Sequence, residues 1–386
     1  MRRLPVGLEL FCGCGGLSTG FLDAGVRVVA GFDIDRRAVE AYDYNHVYRG
    51  SRGFVVDLSR ATGEELLGLA GVSGIDVLIG GPPCQPFSIV GKRRGREDER
   101  ADLVFDFLRF TKELAPQAVF FENVPNFAGI DDGKVLTQLI GGLEDLNYSV
   151  RTDVVPAAAF GTPQVRRRLL LVGARPVSKL RLPQPTHAPA DLAAPWLEPY
   201  VTARDALDDL PNGGDFGECG IHNHELTEHT ADMLARFATL RVGEREPRSF
   251  HDRLHPEKPS FTLRAGTGNF SPLRPVHYRY DRVITVRESA RLQGFDDNFI
   301  WPDWIPRLQQ YRQVGNAVPP PLASAVALCL AEQLGWHLDA GQTQGQPKDR
   351  PPAITLSDAE RRARRVSRIR GASLGRAATG PTKKSP

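Results

Sequence analysis

Seven short apolar runs punctuate the first half of the chain: VGLELF (6–11), VRVVAGFDI (26–34), GFVVDL (53–58), IDVLIGG (75–81), AVFFENV (118–124), YSVRTDVV (148–155) and RRLLLVGA (167–174). Most have the length and apolar character of a strand covered on both faces. Stretches with helical spacing, such as TGEELLGLAG and DLVFDFLRFTKEL, lie between most of them. This alternation predicts an α/β fold built on a doubly wound, mostly parallel sheet. Only PAAAFGTPQV separates the last two runs. That is too short for a crossover helix and predicts an antiparallel pair at one sheet edge.

Beyond Arg175 the pattern breaks. RPVSKLRLPQPTHAPADLAAPW is proline-rich, and the hundred or so residues after it mix glycine, histidine and charge without a period. A second, smaller and irregular domain is therefore expected at 176–282, after a first domain at 1–175. Periodicity resumes in TVRESARLQGF and in the apolar helix PPLASAVALCLAEQLGW, within a segment running to 338. The remainder, 339–386, has the composition of a disordered basic tail, apart from a short basic helical pattern around SDAERRARRVSRIR. No internal repeat is visible.

Composition and charge add four constraints. The 386 residues are 41% hydrophobic, enough for a sizeable core. No window approaches eighteen uninterrupted apolar residues and MRRLPVGLEL has no signal-like run, so the expectation is a cytoplasmic protein without a membrane span. Five cysteines are too few and too scattered for a disulfide framework, so any special cysteine is a thiol. The net charge is +3, but the tail from Asp339 holds eleven Lys/Arg against four Asp/Glu; its +7 leaves −4 for the rest. The tail either holds nucleic acid weakly by charge or keeps the chain soluble.

Candidate chemistry gathers where strands end. LELFCGCGGLSTGF leaves the first strand and enters a helix, the position at which open α/β sheets bind ligands. Gly13, Gly15 and Gly16 let backbone approach a ligand, but Ser18 stands where a dinucleotide G-x-G-x-x-G has its last glycine, which disfavours a pyrophosphate cradle. Asp33 and Asp57 end the next two strands, suited to ribose hydroxyls and an adenine amino group. With the adjoining Leu17, Ile34 and Leu58 they outline a nucleoside pocket without phosphates. Phe11 adds an aromatic face for a sulfonium, which favours S-adenosylmethionine over NAD. The plainer alternative is that the glycines turn the chain and the carboxylates cap helices.

LIGGPPCQPFS delivers Cys84 just past the fourth strand, between Pro82, Pro83 and Pro86, which restrict the backbone and hold the thiol in place. Such positioning suits a nucleophile. Glu122 emerges from apolar AVFF, where desolvation would raise its pKa and keep it a proton donor. Gln164, Arg166 and Arg168 alternate, and so share a face if the segment is extended. IVGKRRGREDER (89–100) reads as a basic lid over the pocket. His222, His224 and His229 near Cys219 match no standard metal spacing, so no metal is expected, and a DNA-facing loop or an interdomain contact is preferred.

Taken in order, FCGCGG, GGPPCQPFS, FENV, QVRRR, RESARLQGF and QVGNAVPP resemble the motif series of the DNA (cytosine-5)-methyltransferases. The resemblance spans nearly all of the chain before the tail. It implies a Rossmann-like S-adenosylmethionine-dependent methyltransferase sheet, with a target-recognition domain at 176–282 and the segment 283–338 returning to the catalytic domain. It also implies Cys84 as nucleophile, Glu122 as the acid at the cytosine ring nitrogen, Arg166 and Arg168 as active-site arginines, and Asn316 near the cofactor. Asp33 stands where the family usually carries glutamate. The implied partner is double-stranded DNA, bound by a monomer at the nucleoid, with a restriction endonuclease acting on the same site as a possible companion. The competing readings are a tRNA cytosine-5 methyltransferase, whose Cys-Phe-Thr tripeptide is absent here, and an inactive DNA-binding relative.

Overall fold

The computed structural model describes residues 3–83, 101–192, 194–247, 249–266 and 275–343. All seven apolar runs are strands: β1 (Val6–Leu10), β2 (Arg27–Asp33), β3 (Arg52–Val55), β4 (Val77–Gly80), β5 (Ala118–Asn123), β6 (Ser149–Pro156) and β7 (Arg167–Ala174). They form one sheet in the order β3-β2-β1-β4-β5-β7-β6. β7 alone runs against its neighbours, inserted antiparallel between β5 and β6. The short β6–β7 connection imposes that reversal, because it has no room for a crossover.

Period-two alternation divides the central strands between two cores. Leu8, Leu78, Val119, Phe121, Leu169 and Leu171 face one way. There they meet α3 (Gly63–Ala70), α4 (Ala101–Leu114) and α5 (Lys134–Asp145) through Leu66, Phe107, Phe110, Leu139 and Leu143. Val28, Val77, Ile79, Phe120, Leu170 and Val172 face the other way, onto Phe21 of α1 (Gly16–Ala24). α2 (Arg36–His46) joins β2 to β3.

Among the described residues the irregular segment supplies short elements: the parallel pair β8 (His187–Ala188) and β9 (Glu198–Pro199), α6 (Ala203–Leu207), α7 (Phe216–Cys219), α8 (Ala231–Thr239), and the parallel pair β10 (Asp252–Arg253) and β11 (Pro275–Val276). The chain continues through α9 (Val286–Gln293), α10 (Arg307–Asn316), α11 (Pro320–Leu334) and α12 (Ala340–Thr343). A third core joins Ala203, Leu207, Leu254 and Leu263 to Val286, Leu292, Phe295, Trp301 and Val314.

By length and composition Arg307–Leu334 is apolar enough to cross a membrane. It is two helices, and α11 puts Leu322, Val326 and Leu330 into the core that α1 shares with the sheet. The fit is close: a Cβ on Gly20 would lie 2.3 Å from the Pro320 carbonyl oxygen.

Candidate active site

The first strand ends in a tightly folded loop. Phe11 is half-buried with φ 55°, and Gly15 caps α1 with φ 94°. A Cβ on Gly15 would sit 2.4 Å from His46 Cε1, and one on Gly16 would sit 2.3 Å from the Val318 carbonyl oxygen, so α2 and the α10–α11 turn press on this loop from behind. Gly13 faces open space. Its N–H donates to Asp33 at 2.9 Å, and the other Asp33 oxygen accepts the Asp35 N–H. Burial raises the Asp33 carboxyl above its ordinary value, against the pull of those backbone donors.

The neighbouring strand ends complete a shallow rim. Ile34 is 69% exposed, and Asp57 accepts both the N–H and the hydroxyl of Ser59. The Ser59 hydroxyl is the main reason the Asp57 carboxyl lies below its ordinary range. Asn316 is exposed at the end of α10. Leu17 and Leu58 turn their side chains into the two cores, so they offer this rim only backbone. The open face of Gly13, the carboxylates at two adjacent strand ends and the exposed Ile34 suit a nucleoside-bearing cofactor without phosphates.

Beneath the loop lies a buried polar chain that the motif pattern did not disclose. Glu9, in the middle of β1, accepts the N–H of Ser18 at 2.9 Å and also its hydroxyl. Ser18 Oγ lies 2.8 Å from the Tyr42 hydroxyl, which is 2.7 Å from Ser51 Oγ. Burial pushes the Glu9 carboxyl up to about 8. The sequence signal was a single acid inside an otherwise apolar strand.

At the end of β5, Glu122 is buried and its Oε1 lies 2.7 Å from Arg168 Nε. Burial raises the Glu122 carboxyl, opposed by the charges of Arg168 and Arg166. β7 starts only at Arg167, so Gln164 and Arg166 lie on its lead-in rather than on the strand, yet burial still alternates through Gln164, Arg166 and Arg168. The segment after β4 runs against this cluster. A Cβ on Gly81 would be 3.2 Å from Glu122 Oε2, and the Asn123 amide donates to the Pro82 carbonyl at 3.1 Å. Cys84, the basic loop 89–100 and residues 344–386 lie outside the described residues.

Residues 6–332 match the family model of the C-5 cytosine-specific DNA methylases. The chain belongs to that family. It is an enzyme, a DNA (cytosine-5)-methyltransferase. Among curated relatives, the type II methyltransferase M.XorII of Xanthomonas oryzae pv. oryzae is 37% identical, covering 83% of each chain. M1.HphI of Haemophilus parahaemolyticus is 33% identical, over 83% of this chain and 85% of its own. A crystal structure of a prophage-encoded DNA modification methyltransferase from E. coli superposes with a TM-score of 0.71 at 28% identity, over 86% of this chain and all of the other. The S. pombe Dnmt2 methyltransferase shares the fold, with a TM-score of 0.62 at 19% identity over 85% of this chain and 99% of its own.

In this methylase the RESARLQGF helix is a structural hub. Arg287 is fully buried and donates to the carbonyls of His222, Asp296 and Phe299. Glu288 holds Arg282 through two 2.8 Å contacts. The histidines belong to the same packing. His224 bridges Thr285 Oγ1 and the Pro211 carbonyl, and His229 Nε2 accepts the Val283 N–H. Among the described residues no His/Cys/Asp/Glu group could hold a metal.

Proposed function

We propose that the chain methylates C5 of a cytosine within a specific double-stranded DNA sequence, with S-adenosylmethionine as methyl donor and Cys84 as nucleophile. The observation that carries this reading is the juxtaposition of Glu122 and Arg168 with Gly81 and Pro82, the backbone that leads into Cys84. Phe11, the backbone of Gly13, Gly15, Gly16, Leu17 and Leu58, and the side chains of Asp33, Ile34, Asp57 and Asn316 would hold the cofactor. When bound, it supplies an electrophilic methyl group on a sulfonium.

Cytosine C5 is a weak nucleophile. The Cys84 thiolate adds to C6 while Glu122, its carboxyl raised above the ordinary value by burial, supplies a proton at N3, so electron density builds on C5. Arg168 fixes the Glu122 carboxyl in place. After methylation the C5 proton leaves, the C6–S bond breaks and the thiolate is regenerated. A base stacked within a duplex cannot present C6 to an enzyme nucleophile, so the target is flipped out of the stack. Residues 176–282 would read the site, with 283–338 returning to the catalytic domain. The type II relatives support a cognate restriction endonuclease as companion, and the chain would work as a monomer in the cytoplasm.

The test is transfer of labelled methyl groups to unmethylated duplex DNA and to tRNA, followed by sequencing of 5-methylcytosine in cells expressing the chain. Label on duplex DNA at one repeated sequence, lost in Cys84→Ser with cofactor binding retained, is expected. Label on tRNA alone, or full activity in Cys84→Ser, overturns the reading.

A further inference from the structure

Arg166 and Arg168 lie two residues apart and turn to the same side, but their guanidinium groups engage different partners. Arg168 pairs with Glu122. Arg166, also buried, sends Nη1 to the Leu263 carbonyl at 3.0 Å and Nη2 to the Gly315 carbonyl at 2.8 Å. One carbonyl belongs to the irregular segment proposed to read DNA. The other directly precedes Asn316.

A second buried link runs alongside. The Gln164 Oε1 accepts the Leu263 N–H at 2.9 Å, and its Nε2 donates to Gln293 Oε1 at 2.7 Å. The Gln293 amide in turn donates to the Ala317 carbonyl. The two backbones touch: a Cβ on Gly315 would lie 2.6 Å from Ala265 N and from Arg264 C. From there contact passes to the glycine loop, where a Cβ on Gly16 would be 3.2 Å from Ala317 Cβ and 2.3 Å from the Val318 oxygen.

We propose that Arg166 is a positioning residue, clamping the segment around Leu263 to the turn that carries Asn316, so that DNA engagement and cofactor affinity are coupled through it. Both of its terminal nitrogens are taken by those two carbonyls. This rests on the cofactor and DNA reading above. Charge-assisted bonds to two buried carbonyls are strong and directional, and lysine, a single ammonium point, cannot reproduce that fork. Coupling between two ligands is reciprocal, so a weakened clamp lowers the effect of each on the other.

The test is calorimetric binding of S-adenosylhomocysteine to the full chain, alone and with a duplex carrying the sequence found methylated in expressing cells. Arg166→Lys should weaken binding about tenfold and bring the ratio of Kd without and with duplex toward one. The pH profile of kcat should stay in place, because the charge near Glu122 is kept. Gln293→Leu cuts the parallel link away from Glu122 and should act in the same direction. Arg168→Lys should instead retain cofactor affinity while kcat falls and its pH profile moves. Wild-type cofactor affinity and coupling in both Arg166→Lys and Gln293→Leu, or a shifted pH profile in Arg166→Lys with cofactor affinity intact, overturns the proposal. A wild-type chain that binds no S-adenosylhomocysteine overturns the cofactor reading itself, and the clamp with it.

Discussion

Glu9 is the group whose environment departs furthest from what its position in a strand suggests, and Glu9→Gln isolates it. The folded carboxyl titrates near 8 against an ordinary value of 4.5, with burial as the dominant cause. Between those values the unfolded chain releases the proton and the folded chain keeps it. Stability therefore falls as pH rises from 4.5 and levels off above about 8. At about 1.4 kcal/mol per pH unit, the full effect is on the order of 5 kcal/mol. Glutamine still accepts from the Ser18 N–H and carries no titratable proton. Urea unfolding followed by circular dichroism at pH 5.5 and 8.5 gives the comparison. Relative to wild type, the variant should gain about 3 kcal/mol between the two conditions. Stability curves that stay parallel to within about 1 kcal/mol, less than one pH unit's worth, would refute a protonated Glu9 beneath the glycine loop.

Two further outcomes follow from the site and its support. On the proposed mechanism Glu122 works as an acid and burial raises its carboxyl, so wild-type kcat should fall as pH climbs through that raised value; Glu122→Gln should lower kcat about 10²- to 10³-fold and erase that limb. Persistence of the limb in the variant assigns it to another group. Arg287→Ala strands three carbonyls, His222, Asp296 and Phe299, and should cost about 3 kcal/mol or more in urea unfolding, with faster proteolysis of 176–282. A loss below about 1 kcal/mol, the worth of one ordinary hydrogen bond, would show that the hub is not structural.

The sheet was legible because its central strands are apolar on both faces and its connections are short or helical. Even the reversed β7 followed from the ten residues before it. Glu122 was legible as an acid emerging from AVFF, and the glycine loop from its place after β1. Other features depend on partners far away in the chain. Arg166 looks like a twin of Arg168 until Leu263 and Gly315, 97 and 149 residues distant, are seen to accept from it. The spacing of the histidines matches no standard metal pattern, but the contacts of His224 with Thr285 and of His229 with Val283 span 61 and 54 residues. Glu9 was passed over because a lone acid in VGLEL has no local partner; Ser18 reaches it only once α1 folds back over the strand.

The central claim is a transient bond between one sulfur atom and a pyrimidine carbon. A duplex carrying the methylated sequence, with 5-fluorocytosine in place of the target base, blocks loss of the C5 substituent and should leave the enzyme covalently attached. The account predicts a DNA adduct, stable to denaturation and dependent on S-adenosylmethionine, whose peptide mass maps to Cys84. A duplex that is bound and turned over with no adduct, or an adduct on any other residue, would contradict it.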